Sequence, residues 1–327
     1  MDIWHGLTVS LTSPMVLAFA LGVLAILIRS DLKFPEGVYA TLTIYLLFAI
    51  GIKGGVKLVG VDFGQFWRPG LAALGLCIMI PLWSFFILHK FGRFGVADAA
   101  ALAAHFGSVS AVTFGECLAF LDGIKVDHEA YLPALLAIME VPAILIAIFL
   151  ASRYRGDTAD GQPSKLTQVF RQLLTGKGVV LLIGGMLIGL LTGQQGYAQV
   201  APFFDGPFRG VLTLFLLDVG MATGRRLADL RQAGPFLAGF AIVMPLLHGI
   251  MGVVLGYWCG TSMGGATVLG TLAASASYIA APAAARVALP QASPALYLTA
   301  SLAITFPFNV IVGIPLYYTF SRYLYGV

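Results

Sequence analysis

The sequence predicts an all-α polytopic membrane protein, with ten transmembrane helices in two inverted five-helix repeats and helices 4 and 9 discontinuous. Three observations carry that expectation. Of 327 residues, 59% are hydrophobic and only 10% charged, with a mean hydropathy of +0.91; soluble domains hold about 25% charged and roughly 45–50% apolar residues. Apolar stretches approaching the length that crosses a hydrocarbon core, about 20 residues, recur from end to end. Two of these stretches are interrupted midway by small polar residues, at matching places in the two halves.

The first span is expected at 14–29. No basic segment of the signal-peptide kind precedes it, and Arg29 and Lys33 follow it, so it reads as a retained helix. Continuous spans are expected next at 36–52, 70–89, 130–151, 178–193, 207–223, 235–259 and 295–320. The stretches 95–121 and 263–290 carry GSVS at 107–110 and ASAS at 274–277. Each reads as two half-helices joined within the membrane. The polar segment 152–177 divides a first repeat, 1–151, from a second, 178–327. With the N-terminus outside, inner loops hold 12 of the 19 Lys and Arg residues and outer loops 6, Arg286 lying within the second broken span. That bias puts both termini outside and the linker in the cytoplasm.

Internal similarity supports the division. LLFAIGIKGGVKL at 46–58 aligns without gaps on FLLDVGMATGRRL at 215–227, pairing Gly51 with Gly220 and Gly55 with Gly224. GSVS falls on ASAS, and Leu-Ala-Ile at 136–138 recurs at 302–304, followed by Pro142 and Pro307 respectively. An odd number of spans per repeat inverts the second copy.

Unwound backbone at membrane depth survives only where it is buried or lines a cavity. Inversion brings the N-termini of the two second half-helices together, each presenting free N–H groups and a positive dipole end. The breaks therefore suit a small anion, with Gly107, Ser108, Ser110, Ala274, Ser275 and Ser277 around it and the serines as caps or donors. The carbonyl ends of the first half-helices suit Na+. Asp98 and Glu140 are ionisable candidates for the cation, and Thr113, Thr305 and Asn309 offer neutral oxygens. Glu116 and Asp218, also within spans, are further ionisable candidates for Na+ or a proton, while His105 and His248 lack ligand spacing and read as packed. Cys77, Cys117 and Cys259 read as small hydrophobes. No enzyme motif is present, no metal centre or cofactor is expected beyond Na+ as coupling ion, and no basic run suggests nucleic acid.

AALAAHFGSVSAVTF (100–114), IMEVPAI (138–144), AASASYIAAPAAARVALP (273–290) and ITFPFNVIVGIPLYY (304–318) are similar to segments of the sodium-dependent bicarbonate transporter family of cyanobacteria. The resemblance runs through nearly all the spans in order. It implies a gate domain of helices 1, 2, 6 and 7 and a core of helices 3–5 and 8–10. It also implies Na+-coupled bicarbonate uptake by an elevator-like core movement, a homotrimer, and a bacterial inner membrane. The family's anion site lies at the breaks, and Gly107, Ser108, Ser110, Ser275 and Ser277 inherit that role. Cyanobacterial members bind a small PII-like protein through a longer connection between repeats; the short linker here argues against that partner. From the residues alone, a cation/proton antiporter of the same architecture and a non-transporting anion sensor stay open. The absence of a carboxylate in GSVS or ASAS counts against the antiporter.

Overall fold

The computed structural model describes residues 3–155 and 165–327. Every regular element among them is helical: α1 (Ile3–Leu11), α2 (Pro14–Leu27), α3 (Glu36–Leu58), α4 (Phe63–Phe91), α5 (Val96–Gly107), α6 (Ala111–Gly123), α7 (Leu132–Met139), α8 (Pro142–Arg155), α9 (Lys165–Leu174), α10 (Lys177–Ala198), α11 (Ala201–Phe204), α12 (Gly206–Arg226), α13 (Leu230–Cys259), α14 (Met263–Ala274), α15 (Ala280–Ala288) and α16 (Pro294–Tyr325). Among the described residues, seven segments are long and apolar enough to cross a membrane: α3, α4, α5 with α6, α7 with α8, α10, α13 and α16. The apolar helices α2 and α14 are shorter. This is a multi-pass membrane protein. Local chemistry sets the helix starts: Ser13 accepts from the Met15 N–H ahead of Pro14, Asp62 accepts from Gly64, and Ser262 accepts from Gly265.

Both expected breaks are present. α5 stops at Gly107 and α6 resumes at Ala111; α14 stops at Ala274 and α15 resumes at Ala280. Further departures from regular helix go beyond what hydropathy predicts. The span expected at 130–151 divides into α7 and α8 around Glu140 and Val141, because Pro142 cannot donate to the carbonyl four residues back. α16 carries π-helical turns at Thr299–Thr305 and Asn309–Gly313, on either side of Pro307. A short α1 precedes the first span. The linker expected at 152–177 falls partly on residues 156–164, outside the described residues, and its far part is the helix α9. On α9, Val169 and Leu173 stand one turn apart and are buried against the protein, while Phe170 and Leu174 are exposed.

Two helix pairs pack most extensively: α3 along α10, and α2 along α12. Glycine makes these approaches close. A Cβ on Gly55 would come 2.0 Å from the Met186 carbonyl oxygen of α10, and one on Gly220 would come 2.1 Å from the Phe19 oxygen of α2. Gly51-x-x-x-Gly55 and Gly220-x-x-x-Gly224 thus both serve as small-residue contact faces. The remaining long helices surround the breaks. The largest buried cluster lies between α5, α8, α13, α15 and α16. Of the most apolar stretch within α5–α6, 89% is buried inside the protein, against 28% for α10, so the first broken span is central and α10 peripheral.

Two carboxylates tie the halves together at a distance from the breaks. Glu129, before α7, accepts from the Ser262 N–H and hydroxyl at the start of α14. Asp98, in the first turn of α5, accepts from the Ser293 N–H just before α16 at 2.7 Å. Each tie joins the loop after one broken helix to the start of the other.

Candidate functional site at the two helix breaks

The first break begins where GSVS leaves the helix. Ser108 is extended, at φ −93° and ψ 170°, and its hydroxyl donates to the Glu140 carbonyl at 2.8 Å. That carbonyl lies at the α7–α8 interruption, so the break in one helix anchors the break in the next. Ser110 is also extended; its Oγ caps α6 by accepting from Thr113 N–H at 3.2 Å. In the second break the Ser275 hydroxyl donates to Leu272 O at 2.8 Å. Ser277 Oγ accepts from Ala281 N–H in the first turn of α15, at 3.2 Å.

The breaks touch directly. Ser110 N–H donates to Ser275 Oγ at 3.0 Å, and Ser277 N–H donates to the His105 carbonyl at 2.8 Å. All four serines are buried. Their hydroxyls are not equivalent, since each has one proton and two lone pairs. Ser108 and Ser275 donate that proton to carbonyls, whereas the bonds of Ser110 and Ser277 engage the oxygen and commit the proton to no carbonyl, the Ser110 hydroxyl lying beside Tyr278 OH. Alongside are the first N–H groups of α6, at Ala111 and Val112, which no helical carbonyl can reach. Two helix N-termini and two hydroxyls at the contact present the positive polarity that suits a small anion.

The other sequence-derived residues divide into those at the breaks and those elsewhere. Asn309 Nδ2 donates to Ala274 O at 2.7 Å, closing the end of α14, and its Oδ1 accepts from Tyr317 OH at 3.1 Å. Thr113 is buried in the first turn of α6. Glu140 brings its carbonyl to Ser108, but its carboxylate turns to α10, where a Cβ on Gly178 would meet Oε1 at 2.6 Å. Thr305 donates to Ala241 O at 2.7 Å. Gly107 packs away from the opposing break, because a Cβ there would come 2.8 Å from Pro81 and 2.9 Å from Ala143. Asp98 sits nine residues before Gly107, about 13 Å along the axis, and is engaged with Ser293. Among the described residues no group of three or more His, Cys, Asp or Glu is placed to hold a metal.

Of three residues that carry a buried, unpartnered polar atom, sequence reasoning named Glu116 as an ionisable candidate and His105 as packed, and missed Tyr278. Tyr278 OH and His105 Nε2 have no hydrogen-bond partner, and neither has Oε1 of Glu116, six residues beyond Ser110. His105 is packed, as its lone position in the sequence suggests: it stacks on Tyr297 with centroids 4.5 Å apart and its Nδ1 lies 2.6 Å from Ala101 O. Nε2 nonetheless is bare. His248 is fully engaged on one side, accepting from Trp83 Nε1 at 2.8 Å. Tyr278 directly follows ASAS, and that adjacency was the available signal.

On one side the breaks face the seam of α3 and α12. Leu46, Ile50, Leu212 and Phe215 close over Ala111, Val112 and Ile279 in an apolar constriction. Beyond it opens a vestibule of about 400 Å³ shared by Ile50 and Phe208, with Lys53, Lys57, Arg209, Asp122 and Asp205 on its walls. Lys53 pairs with Asp205 at 2.9 Å, and Arg209 of α12 reaches Asp122 of α6 at 3.9 Å. Burial acts to raise the Asp205 carboxyl, but hydrogen bonds from Tyr197 and Lys53 outweigh it and hold the group below its ordinary value.

A comparison with curated proteins finds no match. The family model described as the Na+-dependent bicarbonate transporter superfamily matches residues 14–322, nearly the whole chain and both breaks. The chain therefore belongs to the Na+-dependent bicarbonate transporter superfamily.

Proposed function

We propose that the protein is a secondary active transporter that carries bicarbonate, with Na+, into the cell. The observation that carries this reading is the contact of the two breaks, in which two helix N-termini and the protons of Ser110 and Ser277 converge. Bicarbonate is compact, singly charged and rich in acceptor oxygens, so such a site can hold it without a buried Arg or Lys. Na+ near the carbonyl ends of α5 and α14 offsets the anion's charge; Thr113, Asn309 and the Glu140 carbonyl are the oxygens best placed to contribute. Co-binding then acts as the coupling: the filled site moves through the barrier more readily than a half-filled one.

The movement we infer is elevator-like. α2, α3, α10 and α12 form the gate, and the helices around the breaks form the core. The two close pairs support both this division and an inverted repeat of five spans. α3 packs on α10 through Gly51 and Gly55, while α12 packs on α2 through the aligned Gly220 and Gly224. The reciprocal ties of Glu129 and Asp98 support a core that moves as one body. Ten spans, a bacterial inner membrane, external termini and a homotrimer complete the proposal. A PII-like regulator is not part of it.

The test is uptake of labelled bicarbonate into proteoliposomes with an imposed Na+ gradient. Accumulation that follows the gradient and collapses with a Na+ ionophore is expected. Uptake indifferent to Na+ would remove the coupling, and binding without accumulation would make the protein a sensor.

A further inference from the structure

Glu116 has a setting of its own, apart from the contact between the breaks. A cavity of about 70 Å³ lies where α1 and α2 meet α6 and α16, lined by Ser10, Ser13, Glu116, Phe120 and Val310 among others. Glu116 is 4% exposed, and its Oε1 has no hydrogen-bond partner. A buried carboxylate oxygen without a donor requires an explanation, and an ion is one of the few that suffice. Among the described residues no Lys, Arg or His lines the cavity.

Ser10 and Ser13 bring further oxygens to an otherwise apolar lining. Ser10 is buried in the last turn of α1, at the negative end of that helix, and its carbonyl accepts from Ser13 N–H at 3.1 Å. Ser13 Oγ accepts one bond from Met15 N–H and keeps a second lone pair. The space, about 70 Å³, holds an ion and one or two waters, at about 30 Å³ per water. A carboxylate with hydroxyl and carbonyl oxygens is a donor set for a hard cation.

We propose that Glu116, with Ser10 and Ser13, forms a monovalent-cation site that takes Na+, separate from the contact between the breaks. The cation enters about 9 Å along α6 from Ser110, six residues at 1.5 Å each. It bridges α2, which packs on α12, to α6 and α16, which belong to the bundle around the breaks. Occupancy therefore ties the N-terminal helices to that bundle. The choice of Na+ rests on the sodium-coupling reading above, whereas the site itself rests on the cavity and its bare carboxylate.

The experiment is equilibrium dialysis of the purified full chain with labelled Na+, against choline at constant ionic strength, for the wild type, Glu116→Gln and Ser13→Ala. The expected result is about one Na+ fewer per protomer in Glu116→Gln and a several-fold weaker midpoint in Ser13→Ala. Bicarbonate-induced thermal stabilisation in Glu116→Gln shows that the variant is folded. Unchanged Na+ stoichiometry and affinity in Glu116→Gln would overturn the site while leaving sodium coupling in place. A wild type that binds no Na+ would overturn both. If Glu116→Gln does not fold, an unchanged midpoint in Ser13→Ala overturns the site.

Discussion

Ser110 and Ser277 differ from Ser108 and Ser275 in where the hydroxyl proton goes, and this divides the expected effects of removing them. Ser277→Ala and Ser110→Ala remove a donor to the anion. A hydrogen bond to a charged group contributes about 1.5–3 kcal/mol, so bicarbonate binding is expected to weaken by roughly ten- to hundred-fold, read by isothermal titration. Ser108→Ala instead leaves the buried Glu140 carbonyl bare, a loss of about 1–3 kcal/mol in stability, and its signature is a lower Tm with a smaller change in affinity. Asp98→Asn tests a different assignment. Because Asp98 already holds the Ser293 N–H, its substitution is expected to lower Tm while leaving the Na+ dependence of uptake unchanged; a shifted Na+ dependence would return Asp98 to the sodium site. The serine types and their spacing could be read from the sequence. Which serine donates and which accepts could not, because each hydroxyl's choice depends on carbonyls exposed by another helix's interruption.

At the scale of elements, the interruptions follow local rules and the contacts do not. GSVS and ASAS end helices because small polar residues compete for backbone hydrogen bonds and weaken the helix. Pro142 and Pro307 act by lacking an N–H, and both disturb the helices that pack against the broken spans. The division of α7 from α8 was visible as a proline but read as part of a continuous span, since hydropathy averages over a kink. The close helix pairs carry their own prediction. Gly55→Leu forces a side chain into space where even a Cβ would lie 2.0 Å from Met186 O, so α3 and α10 must separate. Overpacking costs typically ~1–3 kcal/mol, and thermal unfolding in detergent is expected to show a marked loss. Gly220→Leu is expected to do the same through α2.

In the whole molecule one group of charges lines the vestibule, beyond the apolar constriction from the breaks. The vestibule sets Lys53, Lys57 and Arg209, from α3 and α12, against Asp122 of α6, with an apolar constriction between them and the serines. With Glu129 and Asp205 also on the walls, three basic groups balance three acidic ones, so loss of one base leaves the entrance net negative and repels an approaching anion. Neutralising Lys57 by Lys57→Gln is therefore expected to lower bicarbonate uptake most at low ionic strength, and the difference should shrink as salt is raised. The Lys53–Asp205 pair is exposed to water and holds the carboxyl below its ordinary value. Its stabilising effect is present above the unfolded Asp value, about 3.9, and is lost as pH falls through the lower folded value. Asp205→Asn should thus differ from wild type in Tm at neutral pH and converge with it only in strong acid.

Hydropathy and two small polar interruptions were enough to identify a multi-pass helical membrane protein and to locate both helix breaks, because burying backbone in lipid allows few solutions and each leaves a compositional mark. The segments around the breaks also carried the family resemblance. The pairing of the two breaks, the turning of the Glu140 carboxylate to α10 and the distance of Asp98 were decided only by tertiary structure. So was the bare oxygen of Glu116. A residue's type is local, but the partner of a buried polar atom lies on another helix, and in α5 and α14 that partner is more than 150 residues away along the chain.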